Sequence, residues 1–295
     1  MRKSAGDHTF DVLNAVFLFV FAISTLYPFV YVFAISFNDA MDSMSGGIYF
    51  FPRKWSFDSY RLIFQHEDLV HSFLVSTSRT VIGAISSVAV TAMLGYVFTK
   101  KEMPGYKVFY TMSIISMFLG GGLIPTFMLY RWVHVYNTFW VYIVPGLIGI
   151  FNMILFRTYF MQLPSSLEES AFIDGANEMQ CFTRIILPLS TPILATIGLF
   201  VAVGHWNSWT DTLFFTANPN LETLQFVLMK IIRQSEAAQI INAQKAKLLR
   251  MRVIVVTPES IKMAITVVAT VPILCVYPFL QKYFVKGVMI GALKG

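Results

Sequence analysis

The sequence predicts an all-α polytopic membrane protein with six transmembrane helices, and three observations lead to this fold class. Hydrophobic residues make up 56% of the chain and charged residues only 13%, too few to cover the surface of a soluble domain. The charged residues are concentrated in short stretches, separated by apolar runs long enough to cross a bilayer. Because Lys and Arg mostly flank these runs, the formal net charge of +6 indicates contact with anionic lipid and argues against nucleic acid as a partner.

The transmembrane helices are predicted from runs of about 20 apolar residues, the length that crosses the hydrocarbon core. We predict a single transmembrane domain over residues 1–295, with spans at 12–37, 72–98, 107–130, 139–161, 191–215 and 263–283. The first run is too long for the apolar region of a secretory signal and lacks a small-residue cleavage site, so it is predicted to be a retained helix.

The second and third spans carry unusual residues. Small and hydroxyl side chains, which favour close packing between helices, are frequent in the second span: Ser76, Thr77, Ser78, Gly83, Ala84, Ser86 and Ser87. We therefore expect this span to face other helices. Gly120-Gly121-Gly122 interrupts the third span, which indicates either a broken helix beside a pathway or the end of the helix and an outer loop.

The orientation follows from the positions of lysines in short connections. Positive residues near spans favour the cytoplasm, and they mark the connection after the second span and the C-terminal end: Lys100, Lys101, Lys107, Lys282, Lys286 and Lys294. Both termini and the tail at 284–295 are thus expected in the cytoplasm. The basic loop at 216–262 would then lie outside. This does not contradict the orientation, because long loops obey the positive-inside rule weakly. The spacing of apolar residues between Leu221 and Met251 predicts an amphipathic helix in this loop.

The loop at 163–190, between the fourth and fifth spans, is predicted to form a rigid helix-turn-helix at the membrane surface. Ser166 and Glu169 have the spacing of a capping box at the start of the first helix. Asp174-Gly175 supplies a turn in which glycine adopts a positive φ at low cost. Pro188 is expected to end the second helix, because proline cannot continue the hydrogen-bond ladder.

This loop resembles the EAA signature of permeases of ABC importers. The matching residues, at full spacing, are Glu169-Ser170-Ala171, Gly175 and Ile185-x-Leu187-Pro188. Ser170 stands where the signature has Ala. Asp174, Ala176, Pro192 and the C-terminal stretch 281–295 resemble the carbohydrate-uptake branch, which includes maltose-type permeases. The likeness to LplC-like permeases for complex oligosaccharides is closer, and it covers nearly the whole chain.

The resemblance implies a type I ABC importer permease fold in the bacterial cytoplasmic membrane. It implies that the chain forms half of the translocation path for a carbohydrate, an oligosaccharide in particular. In such permeases the EAA loop forms coupling helices that dock into the ATPase. The residues that it assigns to this coupling are Glu169, Ser170, Ala171, Asp174, Gly175, Ala176, Ile185, Leu187 and Pro188.

The implied partners are a second permease subunit in a heterodimer, a dimer of ABC ATPases and an extracellular solute-binding protein. The sequence contains no G-x-x-x-x-G-K-[ST] phosphate-binding loop, so ATP and Mg²⁺ are expected on the ATPase. No cofactor, metal or catalytic residue is expected on this chain.

Polar residues within spans are costly and are therefore candidates for solute contact. The candidates, which combine aromatic faces with amide or carboxylate groups that suit a sugar, are Asn152, Trp206, Asn207, Trp209 and Asp211. The alternatives are that the tryptophans form an interfacial belt and that Asn152 bonds a neighbouring helix. Arg79, in the second span, is a further but weaker candidate, and the favoured alternative is that it extends its charge to the interface.

The two alternatives to an importer permease are a secondary transporter and a membrane enzyme. An ion-gradient-driven secondary transporter should show paired intramembrane carboxylates or inverted repeats, and neither pattern is visible in the sequence. A membrane enzyme should show a catalytic constellation such as H-E-x-x-H or clustered acidic metal ligands, and the sequence has none.

Overall fold

The computed structural model describes residues 5–65, 69–249 and 256–292 of the chain. Within these ranges every regular element is helical, and the one strand-like pairing is an isolated antiparallel bridge between Asn38 and Trp55. The same ranges contain fourteen α-helices, α1 to α14, in chain order. The all-α prediction is confirmed.

The helices differ widely in length. Helices α1 to α7 span Ala5–Ser36, Ala40–Met44, Asp58–Phe64, Leu69–Val97, Tyr106–Phe118, Leu123–Trp132 and Ile150–Phe160. Helices α8 to α14 span Ser165–Ile173, Glu178–Cys181, Leu187–Leu189, Thr191–Asn207, Thr210–Phe215, Leu224–Leu249 and Pro258–Ala292. Turns of 3-10 helix lie at Phe139–Tyr142, Val144–Gly146 and Pro219–Leu221, and a π-helical turn, Phe182–Ile186, joins α9 to α10.

Three of the described helical segments are long and apolar enough to cross a membrane: Phe10–Ser36, Leu69–Val97 and Pro258–Val276. Two bent pairs would raise the number to five, if each pair is one span: Phe139–Gly146 with Ile150–Phe160, bent by 46°, and Glu178–Leu189 with Thr191–Asn207, bent by 82°. The six spans therefore stay a prediction.

Several predicted boundaries differ from the helices. The third predicted span is divided into α5 and α6, each shorter than a bilayer crossing, and a second helix rather than a loop follows the glycines. The fifth is broken at Ser208 and Trp209, between α11 and α12. Helix α14 continues past 283 to Ala292, into the predicted tail. A helix, α13, lies within the loop predicted to be external.

The chain forms two compact units. The first contains α1 to α3, most of α13 and the first part of α14, and the second contains α4 to α12 and the rest of α14. In the first unit, the buried Asn38 side chain organises the loop after α1. Its Oδ1 accepts hydrogen bonds from the backbone N–H groups of Arg53 and Lys54, at 2.7 and 2.9 Å, and its Nδ2 donates to Asp42 at 3.0 Å. Asn38 and Arg53 together lower the pKa of Asp42.

Helix α4 is the central element of the second unit. Its buried polar and glycine residues recur every three or four positions and so share one face: Ser72, Ser76, Arg79, Gly83, Ser87, Thr91 and Gly95. A Cβ atom on Gly83 would lie 2.6 to 2.9 Å from the ring of His205 on α11. A Cβ atom on Gly95 would lie 2.7 Å from the Cβ of Phe156 on α7. The expectation that this span faces other helices is confirmed for Ser76, Gly83 and Ser87.

The same face leads into the main apolar core of the second unit. This core lies where α4 and α7 meet the segment from α8 to α11, and its buried members are Ala92, Tyr96, Phe156, Phe160, Ala171, Cys181, Phe182, Ile186 and Ile197. The core thus includes residues of the loop at 163–190, which is packed against the helices and does not hang free.

We predict that Gly95→Ala destabilises the protein by about 1–3 kcal/mol, because the new methyl group would push α4 away from the backbone and Phe156 of α7. The loss of folded protein on heating in detergent measures this. Gly204→Ala is the matched control, since a Cβ on Gly204 meets no atom within 4 Å, and it should leave the melting temperature unchanged or raise it. Equal melting temperatures for both variants would contradict the close packing of α4 on α7.

Candidate functional site: a surface hairpin and a buried polar cluster

The surface hairpin is the pair of helical segments Ser165–Ile173 and Glu178–Leu189 with the turn between them. Its turn is closed by two backbone hydrogen bonds, from Ala176 N–H to Ala171 C=O at 2.9 Å and from Gly175 N–H to Phe172 C=O at 3.1 Å. This pair of hydrogen bonds requires one residue in the left-handed backbone conformation, and Gly175 adopts it with φ +83°. The turn therefore lies where Asp174-Gly175 predicts it.

The predicted capping box at Ser166 and Glu169 is wrong. Helix α8 begins at Ser165, directly after Pro164, and no side chain caps its first turn. Ser166 is already inside the helix, so its hydroxyl is not at the capping position. A capping box exists instead at the second helical segment, where Asn177 and Gln180 each accept the other's backbone N–H at 2.9 Å.

Pro188 shapes the end of the second segment. Proline has no N–H to donate to the carbonyl four residues earlier, and the helix widens into a π-helical turn immediately before it. The segment ends at Leu189, one residue after Pro188, and α11 leaves at an angle of 82°. The expected end of the helix is confirmed.

The predicted coupling residues divide into an anchored and a free set. Ala171 is 7% exposed in the core, and Ala176, Ile185 and Leu187 pack against its edge. The others are exposed: Glu169, Ser170, Asp174, Gly175 and Pro188. Sequence reasoning missed Ile173, which is 86% exposed beside the turn. An isoleucine next to an Asp-Gly turn in a polar loop was the available signal.

The buried polar cluster is centred on Arg79, which is only 2% exposed. Its guanidinium group forms an ion pair with Asp211 on α12 and donates a hydrogen bond to Ser208 C=O at 3.1 Å. The guanidinium carbon also lies 4.6 Å from the centre of the Tyr142 ring. The expectation that Arg79 extends to the interface is therefore wrong, because its charge is neutralised inside the protein.

Hydrogen bonds extend this cluster. The Tyr142 hydroxyl donates to Leu221 C=O at 2.6 Å and lies 3.0 Å from Oγ1 of Thr212. The Leu224 N–H donates to the Ser76 hydroxyl of α4 at 2.8 Å. Sequence reasoning missed Tyr142, since nothing in its local sequence indicates these distant partners. The cluster joins α4, α12 and the chain that leads into α13.

The predicted solute-path residues do not form one surface. Asp211 is held by Arg79, and Trp206 is buried with its ring 5.8 Å from that of Phe73. Asn152 lies on α7, where its amide packs against Gly149, and Asn207 is exposed at the end of α11. Trp206 lines a cavity of about 260 Å³, with Phe73, Thr77, Thr80, Val81, Leu199, Ala202, Val203, Pro272, Ile273 and Val276. This nearly apolar lining offers few partners for sugar hydroxyls.

Metal chemistry has no evident place among the described residues, in which no three His, Cys, Asp or Glu side chains are grouped to hold a metal ion. The arrangement is one of packed helices, an exposed hairpin and internal ion pairs.

Comparison with known proteins identifies the family. The family described as the inner membrane component of binding-protein-dependent transport systems matches residues 1–290, and the chain belongs to it. YtcP of Bacillus subtilis (strain 168), a polygalacturonan/rhamnogalacturonan transport system permease, is 37% identical over 290 residues, 98% of this chain and 99% of the relative. The protein LplC of the same strain is 36% identical over 295 residues, 100% of this chain and 98% of the relative.

Solved structures agree with this membership. A chain of a bacterial ABC transporter involved in the import of the acidic polysaccharide alginate is 29% identical, with a TM-score of 0.79. The alignment covers 96% of this chain and 99% of that chain. The resemblance to ABC importer permeases and the type I importer permease fold are confirmed. The chain is a multi-pass membrane permease and not an enzyme, and no comparison supports a secondary transporter.

We predict that Asp211→Asn destabilises the protein by about 3 kcal/mol, because it leaves the buried charge of Arg79 without an opposite charge. Arg79→Met should cost less, since the Asp211 side chain is 34% exposed and keeps access to polar surroundings. Thermal unfolding of the purified variants in detergent measures the order. Arg61→Met, which removes an exposed ion pair with Asp58, is the control and should change stability by less than about 1 kcal/mol. A larger loss for Arg79→Met than for Asp211→Asn would contradict this assignment.

Proposed function

We propose that this chain is one of two permease subunits of an ABC importer that takes up oligosaccharides derived from a polysaccharide. Two observations on its relatives support the solute class: YtcP is a permease for polygalacturonan and rhamnogalacturonan, and the related solved transporter imports alginate. The family description implies that a solute-binding protein delivers the solute from outside. The carbohydrate then crosses between this chain and a second permease subunit, as a heterodimer.

The coupling of transport to ATP takes place at the surface hairpin. The observation that carries this proposal is Ile173, an apolar side chain held almost fully exposed at the end of α8. A single exposed apolar side chain is ordinary, but a group of them on a polar loop indicates a surface that a partner covers. Leu167, Phe172 and Met179 are further exposed apolar residues of the hairpin. The EAA signature implies that the surface covering these residues is a cleft in a cytoplasmic ATPase dimer.

The hairpin is also stiff enough to transmit force. Its turn is closed by two backbone hydrogen bonds, its second segment begins with a capping box, and Ala171 anchors it in the core. A rigid, docked element passes a displacement on to the helices, whereas a loose loop would absorb it. The ATPase dimer binds ATP and Mg²⁺ and performs the hydrolysis that drives this displacement.

Orientation follows from the docking of the hairpin. If the hairpin meets a cytoplasmic ATPase, the connection that carries Lys100, Lys101 and Lys107 and both termini lie in the cytoplasm. Anionic lipid headgroups and the positive-inside rule favour the same side for these lysines. The chain then belongs in the bacterial cytoplasmic membrane with α13 on its outer side.

The solute path is proposed to include Asn152, Trp206, Asn207, Trp209 and Asp211, with unequal roles. Asn207 ends α11 and is exposed, and Trp209 lies in the break before α12 and is half-buried, so these two are the stronger candidates for contact with sugar. Trp206 and Asp211 support this break through packing and the ion pair with Arg79.

We predict that Ile173→Asp lowers the amount of ATPase that copurifies with the importer by tenfold or more. The substitution puts a charge where the hairpin should meet an apolar surface. Glu169→Lys should weaken the association less, through reversed charge at the exposed face of α8. Quantitative copurification from membranes, with uptake of labelled oligosaccharides in parallel, measures both.

Met44→Asp is the matched control, because Met44 is another exposed apolar residue but is the last residue of α2, in the connection that the predicted topology assigns to the outer side. It should leave ATPase association unchanged. Full association of the Ile173→Asp variant would show that the hairpin is not the docking surface.

We predict that Gly175→Val abolishes uptake while the importer stays in the membrane. A β-branched residue in the left-handed conformation costs about 1–2 kcal/mol and would open the turn of the hairpin. The control is Gly175→Asn, because asparagine tolerates this conformation and nothing lies within 4 Å of a Cβ atom there. It should keep at least half of the uptake. Similar uptake by both variants would contradict a role for the turn.

A further inference from the structure

Lys100 joins the connection after α4 to both segments of the surface hairpin. Its ammonium group forms an ion pair with Glu168 on α8, and it lies 3.5 Å from Oε2 of Glu178 on α9. The side chain of Lys100 is only 27% exposed. A single cation is thus shared between two carboxylates on two different helices, next to the end of a third helix.

Aromatic side chains complete this contact. The Lys100 ammonium lies 4.8 Å from the centre of the Tyr96 ring and 5.4 Å from that of Phe172. The Tyr96 hydroxyl donates a hydrogen bond to Glu178 at 2.6 Å, while its ring packs in the core against Phe182. The last turn of α4 is therefore tied to the hairpin by charge, hydrogen bonding and packing together.

The charge of Lys100 is secure at physiological pH. Burial alone would lower the pKa of its ammonium group, but Glu168 and Glu178 outweigh burial and raise it. A raised pKa means that the stabilising contribution is complete below the ordinary pKa of lysine and is lost only as the pH rises through the higher value of the folded protein. The ammonium group therefore keeps its charge at physiological pH, and Lys100 does not act as a pH switch.

The other part of this helix reaches the buried polar cluster. Arg79 lies in α4, and from Arg79 to Val97 the helix rises about 27 Å, close to the thickness of the hydrocarbon core. Arg79 holds Asp211 and Ser208 at the break between α11 and α12. One uninterrupted helix thus connects the hairpin contact with the break that flanks the proposed solute path.

We propose that Lys100 is the positioning residue that fixes the surface hairpin to α4, so that ATPase-driven movement of the hairpin reaches the Arg79–Asp211 pair along this helix. The inference rests on the proposed function, because it assumes that the hairpin docks on the ATPase. It adds a residue outside the EAA signature and assigns to α4 the transmission of the movement.

The test measures solute transported per ATP hydrolysed, in liposomes that contain the complete importer with its ATPase, second permease and a solute-binding protein. Lys100→Met keeps the length and most of the packing of the side chain but removes its charge. We expect it to lower this ratio by about fivefold or more, while the amount of bound ATPase stays within twofold of wild type. Lys101→Met, at the exposed neighbouring position, is the matched control and should leave the ratio unchanged.

A charge exchange separates transmission from folding. Lys100→Glu should lower the ratio more than Lys100→Met, since three carboxylates would then face one another. The double variant Lys100→Glu/Glu168→Lys restores one cation and two carboxylates and should recover at least half of the wild-type ratio. If Lys100→Met does not assemble, the charge-exchanged variant decides alone: recovery supports the proposal and failure to recover overturns it.

The outcomes also distinguish the inference from the proposed function. If Lys100→Met transports as much solute per ATP as wild type, while Ile173→Asp loses the ATPase as predicted, the role of Lys100 is overturned and the hairpin remains the docking surface. Undiminished ATPase binding by Ile173→Asp would remove the docking surface itself, whatever the result at Lys100.

Discussion

The close packing of α4 against α7 and α11 is the constraint on which the second unit depends. Lipid chains are as apolar as leucine, so helices in a bilayer gain little from burying apolar side chains against each other. They associate where small residues let backbones approach and where polar groups bond across the interface. Gly83 and Gly95 allow the approach to α11 and α7, and Ser76 and Arg79 on the same face bond the segments that follow α11. The core, the hairpin and the polar cluster all build on this helix.

The two polar contacts of α4 differ in a way that suits their positions. Arg79 is buried, and an ion pair, a carbonyl group and an aromatic ring replace part of the water that its guanidinium group has lost, whereas its Nε has no hydrogen-bond partner among the described residues. Lys100 is partly open to solvent and keeps its charge among carboxylates and ring faces. The buried contact is specific and hard to rearrange. The surface contact is strong enough to hold the hairpin, because several weak interactions act together.

The features that could be predicted from the sequence are those with a local signal. Uninterrupted apolar runs predicted α1, α4 and α14, and the spacing from Glu169 to Pro188 predicted the hairpin and its turn. Gly120-Gly121-Gly122 indicated the break after α5. No such signal marks the break at Ser208, where ordinary residues adopt non-helical angles to serve distant contacts.

Pairings across the fold could not be predicted. Arg79 and Asp211 are 132 positions apart, and the residues around each of them give no sign that they pair. The sequence therefore predicts that Arg79 extends to the membrane interface, which is wrong. The capping box was misplaced for a different reason. Helix α8 begins directly after Pro164, two residues too early for Ser166 to cap it, whereas Asn177 and Gln180 stand at the start of their own helix.

The wide turn before Pro188 sets which side chains of the hairpin face the protein. A π-helical turn holds one residue more than a regular turn, so it rotates the side chains that follow by about 100° relative to an uninterrupted α-helix. After this turn Leu187 packs against the core, while Leu189 is exposed. The extra residue is therefore part of how the end of the second hairpin segment is seated on the core.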